Sequence, residues 1–324
     1  MFKLTALLVV FVACTSQPEP PTPHGPAAPD VDVDVERWTP TCGALPDAVP
    51  VPQLTTEVVY LSEELAFDGR GALIAKKGEF LIAVPAHGAS RYVSHDPALA
   101  TLSLGLRYLA DGDLAVAQPA VADGLVARIL RVHPDGGVED LFTAADMPAG
   151  LPPLIIPNAL AADPAGGVFV TDSATSQVLH IGADRSVAAL VVGPEAARAA
   201  GAAYDARQRV LYYTSGEVVR AIAVDAAGGP RGGSSVVATV PGGRLDGVVL
   251  DACGNLYVLD SDPAAGRFAL YRVTPGAAPH RLAVFDDLVS GVQFGAGPGF
   301  DDHSVYVSSV AGKVFRVRVG VGGL

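Results

Sequence analysis

From residue 54 onward the chain alternates short apolar runs, many of them β-branched, with turns rich in Gly, Pro and Asp. Residues 157–173, PNALAADPAGGVFVTDS, show the unit clearly: a polar Asn158, an apolar run from Ala159 to Ala162, a tight turn over 163–167, and a β-rich run from Val168 to Thr171. Two such runs on either side of a Gly/Pro turn predict a β-hairpin. The unit recurs as DGVVLDACGNLYVLDS from Asp246, EELAFDGRGALIA from Glu63 and, with a longer turn, SGVQFGAGPGFDDHSVYVSS from Ser290. Weaker copies are LGLRYLADGDLAVAQ from Leu104 and AGAAYDARQRVLYYTS from Ala200.

Anchored on the residue five before each turn, the copies begin at Glu63, Leu104, Asn158, Ala200, Asp246 and Ser290, with spacings of 41, 54, 42, 46 and 44 residues. A period near forty-five with four short β runs in each predicts an all-β, six-bladed β-propeller of four-stranded blades. For the third blade the strands, inner to outer, are Ala159 to Ala162, Val168 to Thr171, Val178 to Ile181 and Val187 to Val192. A Pro-rich connection, ADMPAGLPPLIIP, accounts for the 54-residue interval, and GPEAARAA before Ala200 is the one helical turn expected. The last repeat runs out after its third strand, so residues 54–60, LTTEVVY, are expected to close the ring as its outer strand. A ring closed in this way leaves no open sheet edge.

What precedes the repeats is different in kind. Lys3 followed by LTALLVVFVA is a signal-peptide pattern, too short for a membrane span. It ends at Ala13-Cys14, which resembles the lipobox of bacterial lipoproteins, with Phe11 where that family usually has Leu. The resemblance implies lipidation at Cys14 and a protein exported and held on the membrane of the cell envelope, since multiple acyl chains anchor durably. Residues 15–36 hold six prolines and the acidic alternation VDVDVE, a composition that cannot order itself. The organisation expected is therefore a signal peptide at 1–13, a lipid-anchored tether at 14–50 and the propeller at 51–324. Once Cys14 carries lipid, Cys42 and Cys253 remain; in an exported protein they either pair or stand as two separate thiols.

The 324 residues carry a formal net charge of −12 with a pI near 4.9. Nucleic acid is excluded as a partner, because phosphate binding needs a basic surface. A single propeller of this length is expected to act as a monomer.

In a propeller the inner strands line a central channel, and all six anchors stand at the same end of those strands. Glu63, Asn158 and Asp246, on alternate blades, would bring two carboxylates and an amide oxygen to one point on the axis. Hard oxygen donors with two negative charges suit Ca²⁺ and leave coordination positions for water or substrate. An Asp or Asn at a strand start taken singly is more commonly a turn residue bonded to its own backbone.

The phrases SEELAFD, IPNALAADPAGGVFVTDS, LDGVVLDACGNLYVLDS and GVQFGAGPGFDDHSVYVSS resemble the blade motifs of the gluconolactonase and regucalcin family, and SEEL resembles the first metal-site motif of the related paraoxonases. The likeness covers about residues 54–320 and is carried by blades one, three, five and six. It implies a six-bladed propeller with an axial Ca²⁺ and hydrolysis of lactones or related esters. It also implies that Glu63, Asn158 and Asp246 are ligands, Asp246 serving in addition as the base. The departure is at blade four, where Ala200 replaces a metal-binding Asn. Asp172 and Asp260, at the ends of second strands on the same face, are alternatives for the missing oxygen or are turn residues. Glu64 is a further auxiliary ligand or a solvated charge.

Other chemistries find no support. The histidines show no H-x-x-x-H spacing, no G-x-S-x-G is present, and AAGGPRGG at 226–233 lies between β runs and not before a helix. Two functional classes therefore stand: a metal-dependent lactone or ester hydrolase, and a non-catalytic binding propeller with a degenerate metal site. The substrate has no legible signature.

Overall fold

The computed structural model describes residue 42, the backbone of residues 53–54, and residues 62–78, 80–121 and 125–324. The proposed signal peptide, Cys14 and most of the tether lie outside the described residues, as do residues 55–60 of the expected closing strand. Residues 39–324 form one compact unit.

Six separate four-stranded antiparallel sheets make up that unit. Blade three runs Pro157–Ala162, Val168–Asp172, Gln177–Ile181 and Val187–Val192, within two residues of the sequence expectation at every boundary. The inner strands of the others are Ala66–Phe67, Leu106–Tyr108, Ala199–Asp205, Leu245–Leu250 and Val289–Phe294. The helical turn before Ala200 is a single 3-10 turn, Pro194–Ala196. Two more, Pro97–Leu99 and Ala144–Asp146, lie in the connections into blades two and three.

The second strand of a blade is covered on both faces by its neighbours, so it reads as an unbroken apolar run and not as an alternation. Val168–Asp172, Leu114–Gln118 and Ser304–Ser309 are accordingly buried at every position, whereas the outer strand Ser235–Thr239 is largely exposed. The core is divided in the same way. Each of six apolar clusters fills one interface between blades, as where Phe169 and Val178 of blade three meet Leu211 and Tyr213 of blade four.

At the end where the inner strands begin, the upper mouth, the blades come closest. In blades three to six the inner strand bulges at the anchor, its register shifting between the residues flanking 158–159, 200–201, 246–247 and 290–291. The residue after the anchor is Gly105, Gly201, Gly247 or Gly291 in four blades, because a Cβ there would run into the anchor carbonyl of the next blade, that of Asn158, Asp246, Ser290 or Glu63 respectively. A hydroxyl from the second strand then bridges the gap. Thr171 accepts from Ala159 N and donates to Ala200 O (2.6 Å); Thr214 accepts from Gly201 N and donates to Asp246 O (2.9 Å); Ser308 accepts from Gly291 N and donates to Glu63 O (3.0 Å). Each hydroxyl satisfies an amide that the bulge removes from the ladder and fixes the neighbouring anchor.

The ring closes as a composite last blade, with Gln53–Leu54 pairing antiparallel to Val314–Arg318. The described part of the closing strand is thus two residues starting one position earlier than expected. Cys42 and Cys253 form a disulfide, joining residues 211 apart in sequence at the hairpin turn of blade five. Reduction, or Cys42→Ser with Cys253→Ser, is expected to lower the free energy of unfolding by about 2–5 kcal/mol, read as a lower urea midpoint. An unchanged midpoint would mean that strand pairing alone secures the ring.

Candidate functional site

The six anchors all stand at the upper mouth: Asn158, Ala200, Asp246 and Ser290 are second in their inner strands, and Glu63 and Leu104 precede theirs by three and two residues. Leu104 and Ala200 bring buried apolar side chains, Ser290 a buried hydroxyl, and Glu63, Asn158 and Asp246 half-buried polar groups. Asp246 Oδ2 accepts a hydrogen bond from the Ser290 hydroxyl at 3.1 Å, which links blades five and six. Glu63 lies on the other side of blade six, its carbonyl held by Ser308. Ala200 has nothing to offer a cation, because its carbonyl is occupied by Thr171.

Glu64 takes the position that is glycine in four other blades, and it is not a solvated charge. Its Oε2 accepts from Leu106 N at 2.9 Å, an amide on the channel-facing edge of blade two. Arg107, one residue further along that strand, donates from Nε to Leu160 O of blade three at 3.1 Å. Two channel-edge groups are thus satisfied by ionisable side chains, on a strand edge that has no neighbour to pair with.

Three carboxyls in one narrow channel hold their protons tightly. Glu63 is raised from 4.5 to about 8, first by burial and then by the charges of Asp246 and Glu64, with Arg244 opposing. Glu64 is raised to about 7 by burial, against the lowering effects of Arg107 and the Leu106 amide. Asp246 rises from 3.8 to about 6, again by burial, while the Ser290 hydrogen bond and Arg244 act against it. Burial also depresses Arg107, with Glu64 opposing. Perturbation of this kind, from desolvation plus specific charged neighbours in a cleft, is a mark of functional sites.

Asp172 and Asp260 are placed at the same mouth but are committed to other partners, Asp172 to backbone amides and Asp260 to one amide and the Arg267 side chain. The carboxylate of Asp172 is fully buried and accepts from the amides of Ile155, Ile156, Ala174 and Thr175, organising the Pro-rich entry into blade three. Asp260 accepts from Arg244 N at 2.9 Å and from Arg267 Nε at 3.1 Å. Sequence reasoning did not single out Arg107, Arg244 or the role of Ser290. The anchor list already contained Ser290, and the offset of Arg107 from Leu104 was readable once the inner strand was placed.

The donor set fits a hard divalent cation. Carboxyls that resist ionisation because of burial, and for Glu63 also because of Asp246 and Glu64, are the groups a dication would stabilise, and Asn158 would add a neutral oxygen. The protein would supply three oxygens from Glu63, Asn158 and Asp246, leaving the rest to water or substrate. Among the described residues a separate cluster, Asp301, Asp302 and His303, places donor atoms within 4.8 Å of one another. Its bonds to His303 N, Ser304 and the His303 ring are those of an exposed turn.

Solved structures resemble the whole ring. A gluconolactonase from Xanthomonas campestris superposes with a TM-score of 0.68 at 18% identity, covering 92% of this chain and 99% of its own. The calcium-binding protein regucalcin from Agrobacterium tumefaciens gives 0.63 at 17% identity, covering 84% and 96%. The fold is shared with gluconolactonases and regucalcin. A luciferin-regenerating enzyme has it too, with a TM-score of 0.64 at 21% identity over 86% of this chain and 98% of its own. No protein-family model matches the chain, and no curated protein matches its sequence.

For this gluconolactonase-like ring the raised carboxyls predict a pH dependence. A carboxyl whose folded value lies above its unfolded one stabilises fully below the unfolded value, and that contribution is lost as pH rises through the folded value. Cation-free protein is therefore expected to lose thermal stability progressively between about pH 5 and pH 9, spanning the values near 6, 7 and 8. Glu63→Gln should remove the upper part of the fall, and millimolar Ca²⁺ should flatten all of it. A melting temperature that rises over the interval in the presence of a chelator would contradict the channel electrostatics.

Proposed function

We propose that this protein is an exported, lipid-anchored hydrolase of lactones or related esters, with a divalent cation, Ca²⁺ by its donor chemistry, held by Glu63, Asn158 and Asp246. The observation that carries the reading is that Asp246 of blade five is close enough to Glu63 of blade one to raise it further, beyond the larger effect of burial, with Asn158 at the same end of the alternate blade between them. The fold likeness to gluconolactonases and to a calcium-binding regucalcin supports it. A bound cation would supply Lewis-acid polarisation of the carbonyl oxygen.

The remaining steps belong to the chain. Asp246, near 6, is ionised at neutral pH yet basic enough to take the proton of an attacking water. Ser290 donates to Oδ2 and so leaves Oδ1 as the free proton acceptor. The water oxygen bonds to the carbonyl carbon as its proton passes to Asp246. Cleavage of the ring C–O bond then returns that proton to the leaving oxygen, giving a hydroxy acid. Glu63 and Asn158 orient the carbonyl end of the substrate.

The second reading is a non-catalytic binding propeller, and Ala200 is the observation that favours it, since no side-chain oxygen faces the mouth from blade four. Calorimetric titration of chelator-treated protein with Ca²⁺, together with turnover of a simple lactone, separates the two. Hydrolysis requires binding at millimolar Ca²⁺ or below, and loss of turnover by about 10²-fold or more in both Asp246→Asn and Glu63→Gln, with melting curves retained. Ala200→Asn is expected to tighten Ca²⁺ binding by adding an oxygen. Absence of any Ca²⁺ heat, or full turnover in either carboxylate variant, removes the hydrolytic mechanism.

The anchor is tested separately. Metabolic labelling with a radioactive fatty acid should mark the protein, and Cys14→Ser should abolish both the label and recovery in the membrane fraction. Labelling that persists in Cys14→Ser would place the attachment elsewhere.

A further inference from the structure

A cavity of about 490 Å³ opens at the opposite end of the channel, between the far ends of the inner strands of blades six, one and two. It lies three to four residues along those strands from the anchors, about 10–13 Å at the usual strand rise. Its walls are Phe67, Tyr108, Phe294, Gln293 and the backbone of Gly322–Gly323, with Arg107 also in the lining. The volume is in the range of small-molecule sites.

The cavity is built, and its walls are braced. The inner strands of blades one and two are only two and three residues long, whereas those of blades three to six have six or seven. After Phe294 the chain takes a long turn before Ser304 in place of a tight one. The terminal segment crosses beneath blade five, with Asp251 bridging Gly323 and Leu324 N donating to Leu250 O. Gly323 packs on the face of Phe294, where a Cβ would stand 2.7 Å from the ring. Behind the walls, Phe67 meets Phe300 and Tyr306 edge-on with centroids at 4.9 and 5.1 Å, and Phe294 meets Tyr257 at 5.5 Å. The aromatic surfaces are therefore held in place before any ligand arrives.

Arg107 defines the chemistry. Among the described residues its one hydrogen bond runs from Nε to Leu160 O, so the terminal nitrogens of a guanidinium in the channel have no protein acceptor. Glu64, the charged neighbour, has its Oε2 committed to Leu106 N. A half-buried guanidinium that lines a cavity with its terminal donors unused by the protein can take an anion in bidentate reach. A single arginine beside an acidic rim residue, Asp302, favours one negative charge over the two of a phosphate monoester. Three aromatic walls favour a flat apolar body.

We propose that this lower cavity is a second binding site, for a small organic monocarboxylate with a flat apolar body, its carboxylate on Arg107 and its body between Phe67, Tyr108 and Phe294. The site does not depend on the chemistry at the upper mouth. Benzoate is the probe, titrated calorimetrically into the full-length protein, with benzamide as the neutral isostere. Benzoate is expected to bind with millimolar or tighter affinity and benzamide at least tenfold more weakly. Arg107→Met, which keeps the apolar stem, should lose benzoate binding by tenfold or more. Gln293→Glu, which leaves Arg107 in place and adds a like charge to the wall, should weaken it several-fold and decides the matter if Arg107→Met does not melt like the parent. No heat with benzoate at ~10 mM, equal affinity for benzamide, or unaltered benzoate affinity in a folded variant would overturn the assignment.

Discussion

The close approach of one blade's bulge to the next blade's anchor carbonyl is the constraint on which the rest of the structure rests. Six twisted sheets can share an axis only if their inner strands meet at one end with almost no space between backbones. Glycine at the position after the anchor permits the approach, and a threonine or serine hydroxyl from the second strand satisfies the amide that the bulge leaves unpaired. The hydroxyl also holds the neighbouring anchor's carbonyl at Ala200, Asp246 and Glu63. The placing of the anchors Glu63, Asn158 and Asp246 at one end of the ring is therefore a consequence of how the blades pack.

Blade one departs from that rule, and the departure creates the electrostatics. Glu64 stands where glycine is usual and turns its carboxyl onto the free edge of blade two. A third acid thereby enters a channel that already holds two. Burial alone raises each acid, and the mutual repulsion adds to it for Glu63. Arg107 and Arg244 offset part of this without an ion pair to any of the three among the described residues, which leaves the lower channel with an underused guanidinium.

Much of this was legible in the chain. The forty-five-residue period, the four strands of blade three and the six anchors follow from alternating apolar runs and turns, because each blade repeats one local solution. What was not legible depends on packing between blades. Asp172 at the end of a second strand looks like a turn residue or a ligand until the Pro-rich connection is seen folding its amides onto the carboxylate. The partner of Cys253 required knowing which face the chain enters from. The roles of Glu64 and Arg107 could not be read because a strand's free edge, the acceptor or donor they satisfy, exists only once the ring has closed. The closing strand itself is short, and two residues of ladder carry little signal of their own.

Ala200 then poses a physical question about the site and not only a comparative one. Its methyl occupies the position from which a fourth oxygen would complete the mouth, and Thr171 has already claimed its carbonyl. Fewer protein oxygens mean weaker binding of a dication, yet the same vacancy in the ligand set leaves more positions for water and for a substrate carbonyl. A tight, fully encircled cation would be a structural one; a cation held by two acids and an amide is held loosely enough to exchange ligands during a reaction. An alanine at blade four thus argues against high affinity before it argues against catalysis.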